Sequence, residues 1–297
     1  RIAYDGTDYY GYQRQPDVST VEDAIFDALR SLGVLESDAD KPDGYAAAGR
    51  TDAGVSALAQ TIALEAPDWL TPRALNAELP ADVRAWASAD APDGFHATHH
   101  ASRRTYTYHL YAPSDASPIT PSVDDERFRT ACETLSGTHD VHNLTPDDHN
   151  TERSLTLSAT RDGDYLVVTA SAGGFARELV RRLVSLGREV GAGESSLAKL
   201  ERVLEPEPLP GPEGIAPAPP EPLVLTDVVY PDLAFEIDVD AADSARAVFD
   251  NRRIDRRTGA RVAGQVADGM RREPGRRVRW LDVGEPRNRD RPRPDGL

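Results

Sequence analysis

Ala48-Gly49-Arg50-Thr51-Asp52-Ala53-Gly54-Val55-Ser56-Ala57 decides how this chain is read. The stretch sets one carboxylate, Asp52, two residues after an arginine and between glycines at 49 and 54. Glycines at such positions let the backbone fold sharply and approach a ligand closely. A largely apolar segment, Ala57 to Ala63, follows at once. A lone acid on such a loop is placed to react, whereas an acid needed only for solubility can sit anywhere. A tight turn with a solvated aspartate is the ordinary alternative for a short match of this kind.

Outward from this loop the chain alternates strands and helices. Ser19-Thr20-Val21-Glu22 reads as a capping box, with Ser19 as N-cap and Glu22 reaching back. Val21, Ile25, Ala28, Leu29 and Leu32 then supply an apolar helical face, and Gly33 ends it. Thr71-Pro72 starts a short helix through Glu78. Strand patterns cover 60–66, 83–88 and 103–111, the last with Tyr106, Tyr108 and Leu110 in alternation. A helix is predicted near 124–135, followed by strands over 154–161 and 165–170 that flank the hairpin signal Asp162-Gly163. Helices are expected over 176–190 and 196–204, strands over 223–230 and 234–239, and a helix over 241–249. Residues 205–222 hold eight prolines and read as a surface linker or insertion. The polar, proline-rich stretch 287–297 is expected to be disordered. The pattern predicts an α+β fold, helices against a mainly antiparallel sheet.

The 297 residues suffice for a large core and two subdomains sharing one sheet. Arg1 already lies in a strand-like run, so residues are expected to precede it. The single cysteine, Cys132, excludes an internal disulfide and any CxxC motif, and its helical spacing from Phe128 and Leu135 marks a core thiol. No apolar run reaches membrane-spanning length and no signal-peptide pattern opens the chain, so no membrane partner and a cytoplasmic location are expected. The net charge is −16, with 50 acidic residues against 34 basic, and only Lys41 and Lys199 are lysines. An acid-rich, lysine-poor surface suits concentrated salt, where its self-repulsion is screened. Against this background, 251–279 carries ten arginines and three acids, a local +7 of the kind that contacts phosphate.

Several standard sites are absent from the sequence. Asp52 has no neighbouring acid in a glycosidase-like pair. Gly54-Val55-Ser56-Ala57-Leu58 lacks the second glycine of a nucleophile elbow, and no Gly-rich loop ends in Gly-Lys-Ser/Thr. His139-Asp140-Val141-His142 has no third metal ligand spaced with it, so no metal and no cofactor are expected. What remains is the acid, the tyrosines of 103–111, and an arginine-bearing helix. In that helix Leu179, Leu183, Leu186 and Val190 form an apolar stripe, with Arg177, Arg181 and Arg188 opposite. Arg181 beside Asp52 would stabilise the carboxylate's charge.

The chain resembles the TruA-type tRNA pseudouridine synthases. Tyr4-Asp5-Gly6-Thr7 with Tyr10-Gly11-Tyr12-Gln13-Arg14-Gln15 is similar to that family's opening motif, and Gly49-Arg50-Thr51-Asp52-Ala53-Gly54-Val55 to its catalytic loop. Leu79-Pro80, Phe95-His96-Ala97, Arg103-Arg104-Thr105-Tyr106-Thr107-Tyr108, Gly137-Thr138-His139-Asp140, Asn143-Leu144-Thr145, Gly174-Phe175, Leu179-Val180-Arg181, Ala216-Pro217 and Leu223-Val224-Leu225 follow in order. The resemblance runs from Arg1 to about Tyr230. Departures are Ser56 where His is frequent, Tyr12 for Trp, Val141 for Phe, and Ala176 and Arg177 where apolar residues are usual.

With the salt-adapted composition, the resemblance implies a haloarchaeal member. It implies two subdomains with joined sheets, 1–100 and 101–240, the latter carrying the insertion 205–222. A basic active-site cleft would lie between them, followed by a basic extension over 241–297. It implies an enzyme that breaks the N1–C1′ bond of uridine, turns the uracil and rejoins it through C5, with Asp52 as the essential acid. Two routes stay open, addition of Asp52 to C1′ or removal of a C2′ proton to give a glycal. Tyr106 would stack on the base and help move the C5 proton, and Arg181 would pair with Asp52. Arg50, Arg14, Tyr108, Phe175 and Arg177 would bind substrate. The implied partner is the tRNA anticodon stem-loop, at positions 38 to 40, bound by a homodimer.

Two other classes remain open on the sequence, a non-catalytic RNA-binding protein and an Asp-dependent nucleoside hydrolase. The acidic composition has its own consequence. The unfolding temperature followed by circular dichroism should rise by about 5 °C or more between dilute buffer and molar KCl, and a fall would contradict the salt-adapted reading.

Overall fold

The computed structural model describes residues 1–115 and 120–270. In chain order these form β1 (Ile2–Tyr4), α1 (Val21–Ser31), β2 (Ala46–Ala47), β3 (Ser56–Gln60), β4 (Ile62–Ala63) and α2 (Pro72–Asn76). Next come β5 (Val83–Ala85), β6 (Ala87–Ser88), β7 (Arg103–Tyr111), α3 (Asp125–Leu135), β8 (Gly137–Asp140), β9 (Glu152–Asp162) and β10 (Tyr165–Ala172). The series ends with α4 (Leu179–Gly191), α5 (Leu197–Arg202), β11 (Leu223–Val229), β12 (Glu236–Ile237) and α6 (Val239–Met270). Residues 1–249 form one compact unit, and a second unit begins at Asp250.

The first unit is built on an eight-stranded sheet in the order β5-β1-β3-β11-β7-β10-β9-β8. Every pairing is antiparallel except β3 with β11. That parallel joint links three strands drawn from residues 2–85 to five drawn from 103–229. Ala57 pairs with Leu225, Leu225 with Tyr106, and Tyr106 with Ala170. One row of buried residues therefore runs from just after the Asp52 loop into the tyrosine strand. The strand β7 alternates as its sequence says, with Arg104, Tyr106, Tyr108 and Leu110 buried. The helix α3 packs on α4 and β9, where its Phe128, Ala131, Cys132 and Leu135 are buried. Burial pushes the Cys132 thiol up to about 12, as a packed core thiol requires.

Several predicted boundaries move for identifiable reasons. The N-cap of α1 is Thr20 and not Ser19. Thr20 Oγ1 accepts the Asp23 amide at 3.3 Å and Asp23 Oδ2 accepts the Thr20 amide at 3.1 Å, while Glu22 is drawn to the Arg14 amide at 3.0 Å. The predicted strand over 60–66 becomes β3 and β4, because the fully buried Gln60 turns its side chain onto the Thr61 amide. The helix expected from Ala176 begins at Leu179, since Glu178 adopts a left-handed φ of +60°. Arg177 thus lies outside the helix, its amide given to Asp147. The proline-rich stretch 205–222 is more than a surface linker: Ile215 and Ala218 are buried in it. The strand expected over 234–239 shrinks to β12, paired with β6.

The helix expected over 241–249 is the start of α6, whose arginines 252, 253, 256, 257 and 261 come from the basic island. The remaining arginines of that island and the tail 287–297 lie outside the described residues. No helix among the described residues is long and apolar enough to cross a membrane.

One contact explains why the opening motif and the Asp52 loop occur together. A Cβ at Gly6 would stand 2.0 Å from the Val55 carbonyl oxygen, and the Gly6 amide donates to Ser56 Oγ at 3.0 Å. Real Cβ atoms do not approach backbone so closely, so Gly6→Ala must push β1 off the loop. Urea unfolding in KCl should show a loss of about 3 kcal/mol or more.

Candidate active site

The Asp52 loop is held from beneath by residues 4–12. Tyr4, fully buried, shares a hydrogen bond of 2.7 Å between its hydroxyl and Thr51 Oγ1. The Tyr12 amide donates to the Thr51 carbonyl at 3.0 Å, the Gly54 amide to the Tyr9 carbonyl at 3.1 Å, and the Val55 amide to the Asp52 carbonyl at 3.1 Å. Gln60 Nε2 adds a bond of 2.8 Å to the Gly49 carbonyl. These bonds fix the loop's path and leave the Asp52 side chain without a bond to its own loop.

That side chain is met from the far half of the fold. Arg181, in the first turn of α4, places Nη1 3.3 Å from Asp52 Oδ2. The guanidinium is only 13% exposed and the carboxylate 33%. A second bond, Nε to the Ala218 carbonyl at 2.6 Å, fixes the arginine's direction. Ala218 belongs to the proline-rich stretch, so that segment aims the guanidinium. Tyr106 lies beside this pair, its ring edge-on to Phe175 with centroids 5.1 Å apart at 88°. Burial pushes its hydroxyl up to about 12, with the Arg104 charge opposing and the Asp52 charge reinforcing the shift. At neutral pH the hydroxyl is protonated, and among the described residues it has no hydrogen-bond partner.

A cleft of about 2,220 Å³ opens over these groups. Asp52, Tyr106 and Arg181 line it, as do Arg50, Phe175, Arg177 and Arg14. Tyr108 does not: its ring is buried and its hydroxyl donates to the Pro219 carbonyl at 3.0 Å. The 218–220 segment meets it although it shares a strand face with Tyr106, so the structure does not bring Tyr108 into the cleft with the other residues expected to bind substrate. The cleft is also not basic, as the resemblance implied, since six cationic and seven acidic side chains line it. The acid-rich composition reaches into the site. Arg14 is paired with Asp23 at 3.1 Å and Asp40 at 3.6 Å, and Arg177 with Asp147 at 3.4 Å. Arg50 is exposed and forms no ion pair among the described residues. No cluster of metal-ligating side chains occurs among the described residues, and His139 instead meets the Ser136 carbonyl at 2.8 Å.

Two contributors escaped the sequence reading. Gln60 is one, and Arg104 is the other. Arg104 is 8% exposed, and its donors go entirely to backbone carbonyls. Nε and Nη2 reach Ala48 at 3.0 and 2.7 Å, Nη2 reaches Thr98 at 2.6 Å, and Nη1 reaches Gly173. One planar fork thereby ties the start of the Asp52 loop to the segment that carries Phe175. The signal was present in the strand alternation, which puts an arginine in register with buried tyrosines. Arg104→Gln should cost about 3 kcal/mol by urea unfolding, and Arg104→Lys should not restore it, because a point charge cannot span three carbonyl groups.

A family model described as tRNA pseudouridine synthase matches residues 131–231. The chain is 59% identical over 271 residues to tRNA pseudouridine synthase A of Haloarcula marismortui, covering 91% of this chain and 98% of the relative. It is 60% identical over 267 residues to the same-named protein of Natronomonas pharaonis, covering 90% and 97%. With the corresponding protein of Archaeoglobus fulgidus it shares 36% identity over 258 residues, covering 86% and 91%. The two most similar of these are haloarchaeal, in accord with the acidic, lysine-poor composition. The chain belongs to the tRNA pseudouridine synthase A family of isomerases.

Proposed function

We propose that this protein isomerises uridine to pseudouridine at positions 38 to 40 of the tRNA anticodon stem-loop, with Asp52 as the essential acid. The observation that carries the reading is the Asp52–Arg181 pair at 3.3 Å, set beside Tyr106 on the floor of a cleft wide enough for a nucleotide. A uridine within a stem must first be extruded, which costs a few kcal/mol of stacking and pairing. In this reading the everted uridine enters the cleft with its ribose toward Asp52 and its base toward Tyr106 and Phe175. Asp52 then acts on the sugar, by addition at C1′ or by taking the C2′ proton, as the N1–C1′ bond breaks. Arg181 holds the carboxylate and balances its charge while uracil is detached. The protonated Tyr106 hydroxyl, free of protein partners, donates to the uracil as it turns and helps move the C5 proton. Arg50, an exposed cation with no ion pair among the described residues, contacts backbone phosphate or fills the space the base leaves. Phe175 walls the base pocket, and Arg177 and Arg14 contribute at its rim through guanidinium N–H donors, their charge being offset by Asp147, Asp23 and Asp40.

In the same proposal two copies of the chain work as a homodimer in the cytoplasm, each tRNA touching both. Three adjacent target positions imply recognition by RNA shape, since a fixed code of neighbouring bases could not place all three uridines in one site.

The test uses unmodified tRNA transcript and nucleoside mapping. Wild type should convert uridine to pseudouridine without release of free base. Asp52→Asn should lower turnover by about 10⁴-fold or more while tRNA still binds. Substantial residual conversion would remove Asp52 from its role, and free uracil would point to a hydrolase.

A further inference from the structure

Tyr10 is 61% exposed on the rim of the same cleft, a large aromatic ring left in water. Its backbone is nonetheless fixed. The amide donates to the Ser19 carbonyl at 3.0 Å, and the carbonyl accepts Gln15 Nε2 at 2.9 Å. Gly11 follows with φ +98°, and a Cβ there would stand 3.1 Å from the Thr51 oxygen and 3.5 Å from the Asp52 carbonyl carbon. Residues 9–12 are thus pressed against the Asp52 loop, and the backbone from which the Tyr10 ring projects keeps its place relative to that loop. Among the described residues no hydrogen bond or ring contact engages its side chain.

The electrostatics of the cleft show why such a ring matters. Six cations face seven carboxylates, three of the arginines are in ion pairs, and Arg104 is consumed by carbonyls. A polyanion gains little from a charge-balanced surface, and what it gains is screened by salt. Stacking of a base on an aromatic ring needs no net charge and is tolerant of sequence.

We propose that Tyr10 is a stacking platform for a nucleobase of the RNA, the one flanking the nucleotide held at Asp52; this rests on the uridine-isomerising reading of the site. The ring supplies affinity that survives where Coulombic contacts are screened. Equilibrium binding of unmodified tRNA transcript is measured for the full chain in dilute and in molar KCl, with isomerisation followed in parallel. Tyr10→Ala should weaken Kd by about 5- to 150-fold at both salt concentrations. Tyr10→Phe should recover the affinity, because the ring and not the hydroxyl does the stacking. Arg50→Gln should lose affinity mainly in dilute buffer. An unchanged Kd in Tyr10→Ala, no recovery in Tyr10→Phe, or a loss that fades with salt as in Arg50→Gln would overturn the proposal. A wild-type chain that binds tRNA but leaves uridine intact would overturn the catalytic reading instead, and the two failures are read from separate measurements.

Discussion

A carboxylate two-thirds withdrawn from water needs a cation held in one direction, and Arg181 supplies it from 129 residues away in the chain. The two side chains belong to opposite sides of the only parallel pairing in the eight-stranded sheet. The row Ala57, Leu225, Tyr106 fixes the lateral spacing of loop and tyrosine strand. The carbonyl of Ala218 then aims the guanidinium. Breaking such a pair on one side leaves an uncompensated, partly buried charge, which costs more than the pair itself contributes. The surrounding loops are tied by buried side-chain bonds, above all the fork of Arg104 onto the Ala48, Thr98 and Gly173 carbonyls.

The charge distribution sets a second constraint. An acid-rich surface keeps the protein hydrated in concentrated salt, but it also brings carboxylates to the rim of a cleft meant for a polyanion. Arg14 and Arg177 are partly neutralised by Asp23, Asp40 and Asp147. In the proposed role, affinity for RNA would draw on contacts that salt does not screen, namely stacking, shape and short hydrogen bonds from fixed donors.

Much of this was legible in the chain. Alternation in 103–111, the apolar stripe of α4, the Asp162-Gly163 hairpin and the ordered motifs around Asp52 identified the α+β fold and the residues that meet in the cleft. Local pattern failed where a tertiary contact outbid it. Thr20 replaced Ser19 as cap because Asp23 closes the reciprocal pair while Glu22 is held by the Arg14 amide. Gln60 split a strand by bonding its neighbour's amide and Gly49. Tyr108 was withdrawn from the cleft by a segment 111 residues away, whose Pro219 carbonyl takes its hydroxyl.

The sequence by itself determined which residues were candidates for the site, because an acid between glycines, a tyrosine strand and an arginine-bearing helix are set by residue type and spacing. Only the tertiary structure decided which of them share a surface and what charge that surface bears. Those properties depend on pairings across more than a hundred residues, and on carboxylates delivered to the cleft by segments with no motif of their own. Chain order records neither, since side-chain direction and burial are settled only when the sheet closes across β3 and β11.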